Sequence, residues 1–179
     1  MNAVEFYNTP EGDVMIHEYG SAVRRLEEKD VDDVRRILSK IMDLYPEAYK
    51  SLSELYTKGK ANRIHYEFQI VSRFLRCNFG EYDSHRPDID ADGIFHFEEV
   101  KCPLRGECMY EGVICKPKIG KLTEREREVA KYIADGMQAV DIAELMNISV
   151  NTVNKHRENI KVKLGTRNVI ELANIIRNQ

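Results

Sequence analysis

Cysteine is the residue type in this chain whose spacing points most directly at chemistry. Cys102, Cys108 and Cys115 fall within a stretch of 14 residues, Cys102-Pro-Leu-Arg-Gly-Glu-Cys108-Met-Tyr-Glu-Gly-Val-Ile-Cys115, and Cys77 lies upstream. Four thiolates can close a tetrahedral zinc site or hold an iron–sulfur cluster, and Pro103, Gly106 and Gly112 supply turns with which a loop can wrap a metal. The intervals of 24, 5 and 6 residues contain no C-x-x-C knuckle. Zinc is the first reading, a set of unmetallated thiols the second, and an iron–sulfur cluster the third. A turn-rich loop with few apolar side chains has little means of ordering itself, whereas a bound zinc contributes folding free energy directly. His85 and His96 are candidate substitute ligands, each equally an ordinary loop or strand histidine.

The second group able to do chemistry is polar and lies near the other end. Asn151, Asn154, Lys155 and Glu158, with Thr152 and Lys161 at the edges, share one side of a segment whose opposite side carries Val153, His156, Ile160 and Leu164 at helical spacing. Asparagine can bond adenine in bidentate fashion, lysine reaches guanine or phosphate, and a carboxylate accepts from cytosine, so such a helix has the equipment to read a major groove. The net charge of −3 conceals an asymmetry: from Gly120 onward ten Lys and Arg stand against eight Asp and Glu. Within residues 149–164, Lys155, Arg157, Lys161 and Lys163 oppose Glu158 alone. Asn159 falls at the edge of the polar side, and His156 on the inward stripe reads as a satisfied core histidine.

The elements that must position this helix are written in caps and breakers. Thr123-Glu-Arg-Glu126 has the form of a capping box and predicts a helix from Glu124 that buries Val129, Tyr132 and Ile133 and stops at Gly136. Val140–Met146 predicts a short helix burying Ile142, Leu145 and Met146. Asn147-Ile-Ser149 makes the turn, Ser149 caps the polar helix, and Gly165 ends it. A fourth helix is predicted from Thr166, with Val169, Leu172, Ala173 and Ile176 on an apolar face. Two short helices and a second cap before a polar, basic helix are what a helix-turn-helix requires.

The runs L-T-E-R-E-R-E-V-A-K-Y-I-A-D-G (122–136) and D-I-A-E-L-M-N-I-S-V-N-T-V-N-K-H-R-E-N-I-K-V-K-L-G (141–165) resemble the LuxR (GerE) family of helix-turn-helix domains. The resemblance implies a four-helix domain whose third helix enters the major groove and whose fourth forms a dimer contact. It places the helix-turn-helix at Gln138–Arg157 and DNA contacts at Asn151, Thr152, Asn154, Lys155 and Lys161. Relatives commonly carry a basic residue where this chain has Asn154, and a polar or basic one where it has Glu158, so its target sequence should differ from theirs.

Cys115-Lys-Pro-Lys-Ile-Gly-Lys121 has a Pro, a Gly and no apolar period, which divides the chain into residues 1–118 and 119–179. In the first part Asp30–Leu44 has helical periodicity, Pro46 suits the first turn of a second helix towards Tyr56, and Asn62–Arg76 predicts a third with Ile64, Phe68, Val71 and Leu75 on one stripe. Ile94–Val100 has the composition of a strand, and Val14–His17 is a candidate for another. The fold class expected is mainly α: a helical domain with a small strand and cysteine-rich loop region, then a four-helix LuxR-type domain.

No alternating pattern of a phosphoacceptor receiver is present, and a chain without Trp lacks the tryptophans of acyl-homoserine-lactone pockets. Phosphate loops, H-E-x-x-H and nucleophile elbows are absent, and Asp88, Asp90 and Asp92 read as a solvated loop, so no enzyme is expected. The start lacks a basic then apolar region and no stretch suits a bilayer, which points to a soluble cytoplasmic protein with reduced thiols. The expected function is a sequence-specific transcriptional regulator that reads duplex DNA with the helix at 149–164 and forms a homodimer through helix 166–178. The alternative is a protein-interaction adaptor that uses the helix-turn-helix as scaffold.

Overall fold

Alternation in Val4-Glu-Phe6 and Val14-Met-Ile16 sends the apolar residues of two short segments to one face, and the segments pair as an antiparallel hairpin. The computed structural model describes residues 3–82, 86–91, 93–117 and 120–177. The chain divides into two compact units, Met1–Lys118 and Ile119–Gln179.

In the first unit β1 (Val4–Asn8) pairs with β2 (Val14–Glu18) in the register Phe6 to Ile16, and β3 (Arg24–Arg25) adds to the far edge of β2. Of these three strands the sequence pattern predicts only β2, at Val14–His17. Helix α1 (Val31–Leu44) buries Val34, Ile37, Leu38, Ile41 and Leu44, and α2 (Pro46–Leu55) begins on the expected proline. Asn62 caps α3 (Arg63–Asn78) by accepting the His65 N–H at 3.2 Å. The buried stripe of α3 is turned from the expected one. Ile70, Val71, Phe74 and Leu75 are fully buried, while Ile64 is 43% exposed. The turn brings Glu67 inward, where Arg35 of α1 at 2.8 Å and Arg63 at 2.6 Å hold its carboxylate. Burial opposes ionisation of Glu67, but the two guanidinium hydrogen bonds outweigh it and hold the carboxyl below its ordinary range.

Ile94–Val100 is not a strand. Among the described residues its one ladder contact is an isolated bridge from Phe95 to Ile89, made by His96 N–H to the Asp88 carbonyl at 2.8 Å and Asp90 N–H to the Ile94 carbonyl at 3.1 Å, while Glu98 N–H turns to the Asn78 carbonyl at 3.0 Å. The aromatic residues that suggested a strand instead join a cluster: Phe95 and Phe97 pack with Tyr45, Phe74 and Phe79 at centroid distances of 5.2 to 6.4 Å.

The second unit consists of α4 (Glu124–Ala134), α5 (Ala139–Met146), α6 (Val150–Leu164) and α7 (Val169–Arg177). Val129, Ile142, Val153, Ile160 and Leu172 are fully buried at its centre. At about 25 cal/mol per Å² of apolar surface, each such side chain contributes on the order of 1.5–3 kcal/mol, which is how so small a unit supports its own core. Mainly α architecture with one small sheet is therefore what the chain adopts, with a helix-turn-helix unit at its carboxy-terminal end. Among the described residues no helix is long and apolar enough to cross a membrane.

Candidate functional site

The polar helix is aimed by its caps. Thr123 and Glu126 form the full capping box at the start of α4, with Thr123 N–H donating to the Glu126 carboxylate at 2.7 Å and Glu126 N–H to the Thr123 hydroxyl at 3.2 Å. Gly136 takes the left-handed conformation, φ +84°, that ends this helix. Asn147, also left-handed at φ +53°, makes the turn between α5 and α6, a conformation that asparagine tolerates better than most residues. Ser149 caps α6 through the Thr152 N–H at 3.0 Å, and Gly165 closes it at φ +67°.

Val153 and Ile160 seat α6 on the core, with Leu164 packed beside them and His156 half-buried. Asn151, Asn154 and Lys155 are exposed, and Thr152, Glu158 and Lys161 are half-buried. Asn159 is not at the edge of the polar side; it is 6% exposed and belongs to the interior. Two lysines of the expected basic surface are otherwise engaged. Lys161 pairs with Glu158 at 2.8 Å. Lys163 reaches both carboxylate oxygens of Glu126 at 2.9 and 3.0 Å, and the two side chains are only 2% and 3% exposed. The pair crosses from α6 to α4, so Glu126 serves the capping box and a buried ion pair at once, and Lys163 is withdrawn from the basic surface of α6.

Two further expectations are corrected. Leu145 is 58% exposed, and Ala143 takes its place beside Ile142 and Met146. The last helix begins at Val169, not Thr166: Thr166 N–H turns back to the Lys161 carbonyl at 2.9 Å, and Asn168 caps the helix through the Glu171 N–H at 2.9 Å. Its apolar face, Leu172 with Val169, Ala173 and Ile176, packs on the core of the same unit. The side of α7 turned away from that core carries Ile170, 75% exposed, and exposed Asn174.

Residues 120–176 match the family described as "Bacterial regulatory proteins, luxR family". This segment is a luxR-family domain. Among curated proteins, the "Transcriptional regulatory protein UhpA" of Escherichia coli (strain K12) is 48% identical over 52 residues, which cover 29% of this chain and 26% of that protein. The "HTH-type quorum-sensing regulator RhlR" of Pseudomonas aeruginosa is 35% identical over 89 residues, 44% of this chain and 37% of its own. The "Regulatory protein SdiA" of Escherichia coli (strain K12) is 31% identical over 61 residues, 34% and 25% of the two chains. The chain thus spans between about a quarter and just over a third of the length of these relatives. No solved structure matches.

The first unit brings the four cysteines together. Cys77 at the end of α3 and Cys102, Cys108 and Cys115 from the loop line one cavity of about 170 Å³, with Arg73 and Arg105 among its other walls. Burial pushes the Cys77 thiol up to about 12 and raises Cys115 as well. The loop has more internal order than its composition suggested. Ile114 is fully buried, and Asn78, next to Cys77, donates to the Ile114 carbonyl at 2.9 Å and accepts the Lys116 N–H at 2.6 Å, so it fixes the backbone on both sides of Cys115. His96 is not in this cavity and bonds Asp90 at 2.9 Å; His85 and Asp92 lie outside the described residues.

Sequence reading missed a carboxylate cluster. Glu5, Asp88 and Glu98 bring oxygens within 4.8 Å of one another. Far from being a solvated loop residue, Asp88 is 1% exposed and accepts the Phe6 N–H at 2.6 Å, while Glu98 accepts the Gly80 N–H at 2.6 Å. The reciprocal backbone pairing of Val4 with Ile89, at 2.9 and 3.0 Å, joins Glu5 to Asp88 and has no trace in local sequence pattern.

Proposed function

We propose that the chain is a sequence-specific, DNA-binding transcriptional regulator whose luxR-family domain reads the major groove with α6. The observation that carries the proposal is the exposure of Asn151, Asn154 and Lys155 on the first turns of a helix fixed by its own cap and by core residues Val153 and Ile160. In this reading Asn151 and Asn154 meet base edges, and Thr152, Lys155 and Lys161 set register on the backbone. Glu158, tied to Lys161, discriminates by accepting from cytosine and repelling phosphate. The names of the relatives and the family's regulatory character support it, as does the helix-turn-helix geometry of α5 and α6.

Two copies pair on DNA, in the same reading, through the side of α7 that bears Ile170 and Asn174, since the Leu172 side is occupied within the unit. Selection of bound duplexes from a random pool, followed by gel shift of the enriched sequence with the full chain, tests both points. A single enriched motif with two related half-sites supports them; retention of no duplex, or of all duplexes alike, refutes sequence reading.

A further inference from the structure

From the arrangement around the cavity of the first unit we infer that Cys77, Cys102, Cys108 and Cys115 hold an iron–sulfur cluster and not a single zinc ion. The inference concerns a different unit and a different chemistry from DNA reading, and does not rest on it.

Three observations converge. The first is the spread of the thiols. In a zinc site built from four cysteines the sulfurs stand about 2.3 Å from the ion, which sets them about 3.8 Å from one another. Among the described residues, no three thiol sulfurs of this chain lie within 4.8 Å of one another, although all four cysteines line the same cavity. A cluster needs that wider spacing, because its thiolates bind different irons bridged by sulfide and stand, across the cluster, on the order of 6 Å apart.

The spread is built rather than slack. Asn78 clamps the backbone flanking Cys115, Leu104 carbonyl accepts the Cys108 N–H at 2.9 Å, and Cys102 and Cys108 carbonyls accept from Arg105 at 3.2 Å and Glu111 at 3.0 Å.

The second observation is volume. A single water needs roughly 10–15 Å³ of such space, so a cavity of about 170 Å³ accommodates a group of several atoms. A lone ion surrounded by converging sulfurs needs almost none.

The third is an unanswered donor. Arg73 lines the cavity, and its Nε is buried without a hydrogen-bond partner. Four thiolates and bridging sulfides present negative charge and acceptor sulfurs, and hydrogen bonds to cluster sulfurs are a known determinant of potential. Ligation replaces four S–H bonds by four S–Fe bonds and releases four protons to solvent.

The test is metal and sulfide analysis of the full chain purified without oxygen or chelator, with a parallel arm in which metal-free protein is offered ferrous and ferric iron with sulfide, or zinc alone. The expected result is brown protein with iron and acid-labile sulfide in equal amounts, about two to four of each per chain, and negligible zinc. Cys102→Ser should abolish the colour while helical circular dichroism is retained. If that variant fails to fold, the counts on the unsubstituted chain still decide. One zinc per chain without sulfide, a metal-free protein that takes up zinc and refuses the cluster, or four freely titratable thiols in metal-free protein after both treatments would each overturn the inference.

Discussion

Replacing Lys163 with Met is the perturbation whose cost the structure specifies most fully. The ammonium meets both oxygens of Glu126 at 2.9 and 3.0 Å with almost no solvent access to either side chain. Methionine has similar volume, so packing changes little, but Glu126 is left as a buried carboxylate whose remaining hydrogen bond comes from Thr123 N–H at 2.7 Å. Breaking a buried pair from one side costs about 3–5 kcal/mol, and the surviving amide bond places this case near 3. Adding Glu126→Gln removes the stranded charge while leaving an oxygen for the Thr123 amide, so the double variant should return to within about 1.5 kcal/mol of the unsubstituted chain. Hydrogen exchange as a function of urea, followed at residues 124–164 of the full chain, reads this unit separately from the other. A cost below about 1 kcal/mol for Lys163→Met, or a double variant as unstable as the single one, would refute the assignment of this pair as the link between α4 and α6.

Asn154→Ala should relax base preference at one position at a cost of roughly 1–3 kcal/mol, whereas Lys155→Ala should weaken binding to every sequence and flatten the salt slope; equal scaling of all sequences by both would exchange or remove these roles. Ile176→Glu should destabilise the luxR-family domain, because that side chain packs against its core, while Ile170→Glu should leave the fold intact and abolish cooperative occupancy of paired half-sites in gel shift. Glu67→Gln should destabilise the chain at neutral pH. Because the native carboxyl is held low, its contribution is present above the unfolded value of about 4.3 and lost as pH falls through the native one, so the variant and the unsubstituted chain should converge in acid denaturation curves.

The carboxy-terminal unit was legible because its determinants are local. Thr123 with Glu126, Ser149, Gly136 and Gly165 each act within about one turn of helix, so their types and spacing suffice to bracket the helices. What escaped were decisions made at long range. Lys163 looked like part of a basic surface because its partner lies 37 residues away. In α5, eight residues long, a stripe drawn through Leu145 or through Ala143 fits the period almost equally, and the core of the unit takes Ala143. Phe95 and Phe97 alternate as in a strand, yet both rings pack in an aromatic cluster with Tyr45. The cysteines were visible as a set, but the choice between one ion and a cluster depends on distances that spacing in sequence does not carry.

Whether α6 reads a DNA sequence is decided by titration of the full chain against its selected duplex over a range of salt concentrations. With Lys163 withdrawn into the interior, Lys155, Arg157 and Lys161 are the cations of α6 left to meet phosphate, so log K should fall with log salt at a slope no steeper than about −2.7 per copy from this helix. The selected duplex should be favoured over scrambled duplex by at least about a thousandfold at the same salt. Equal affinity for selected and scrambled duplexes, or no binding at the lowest salt, would contradict the account.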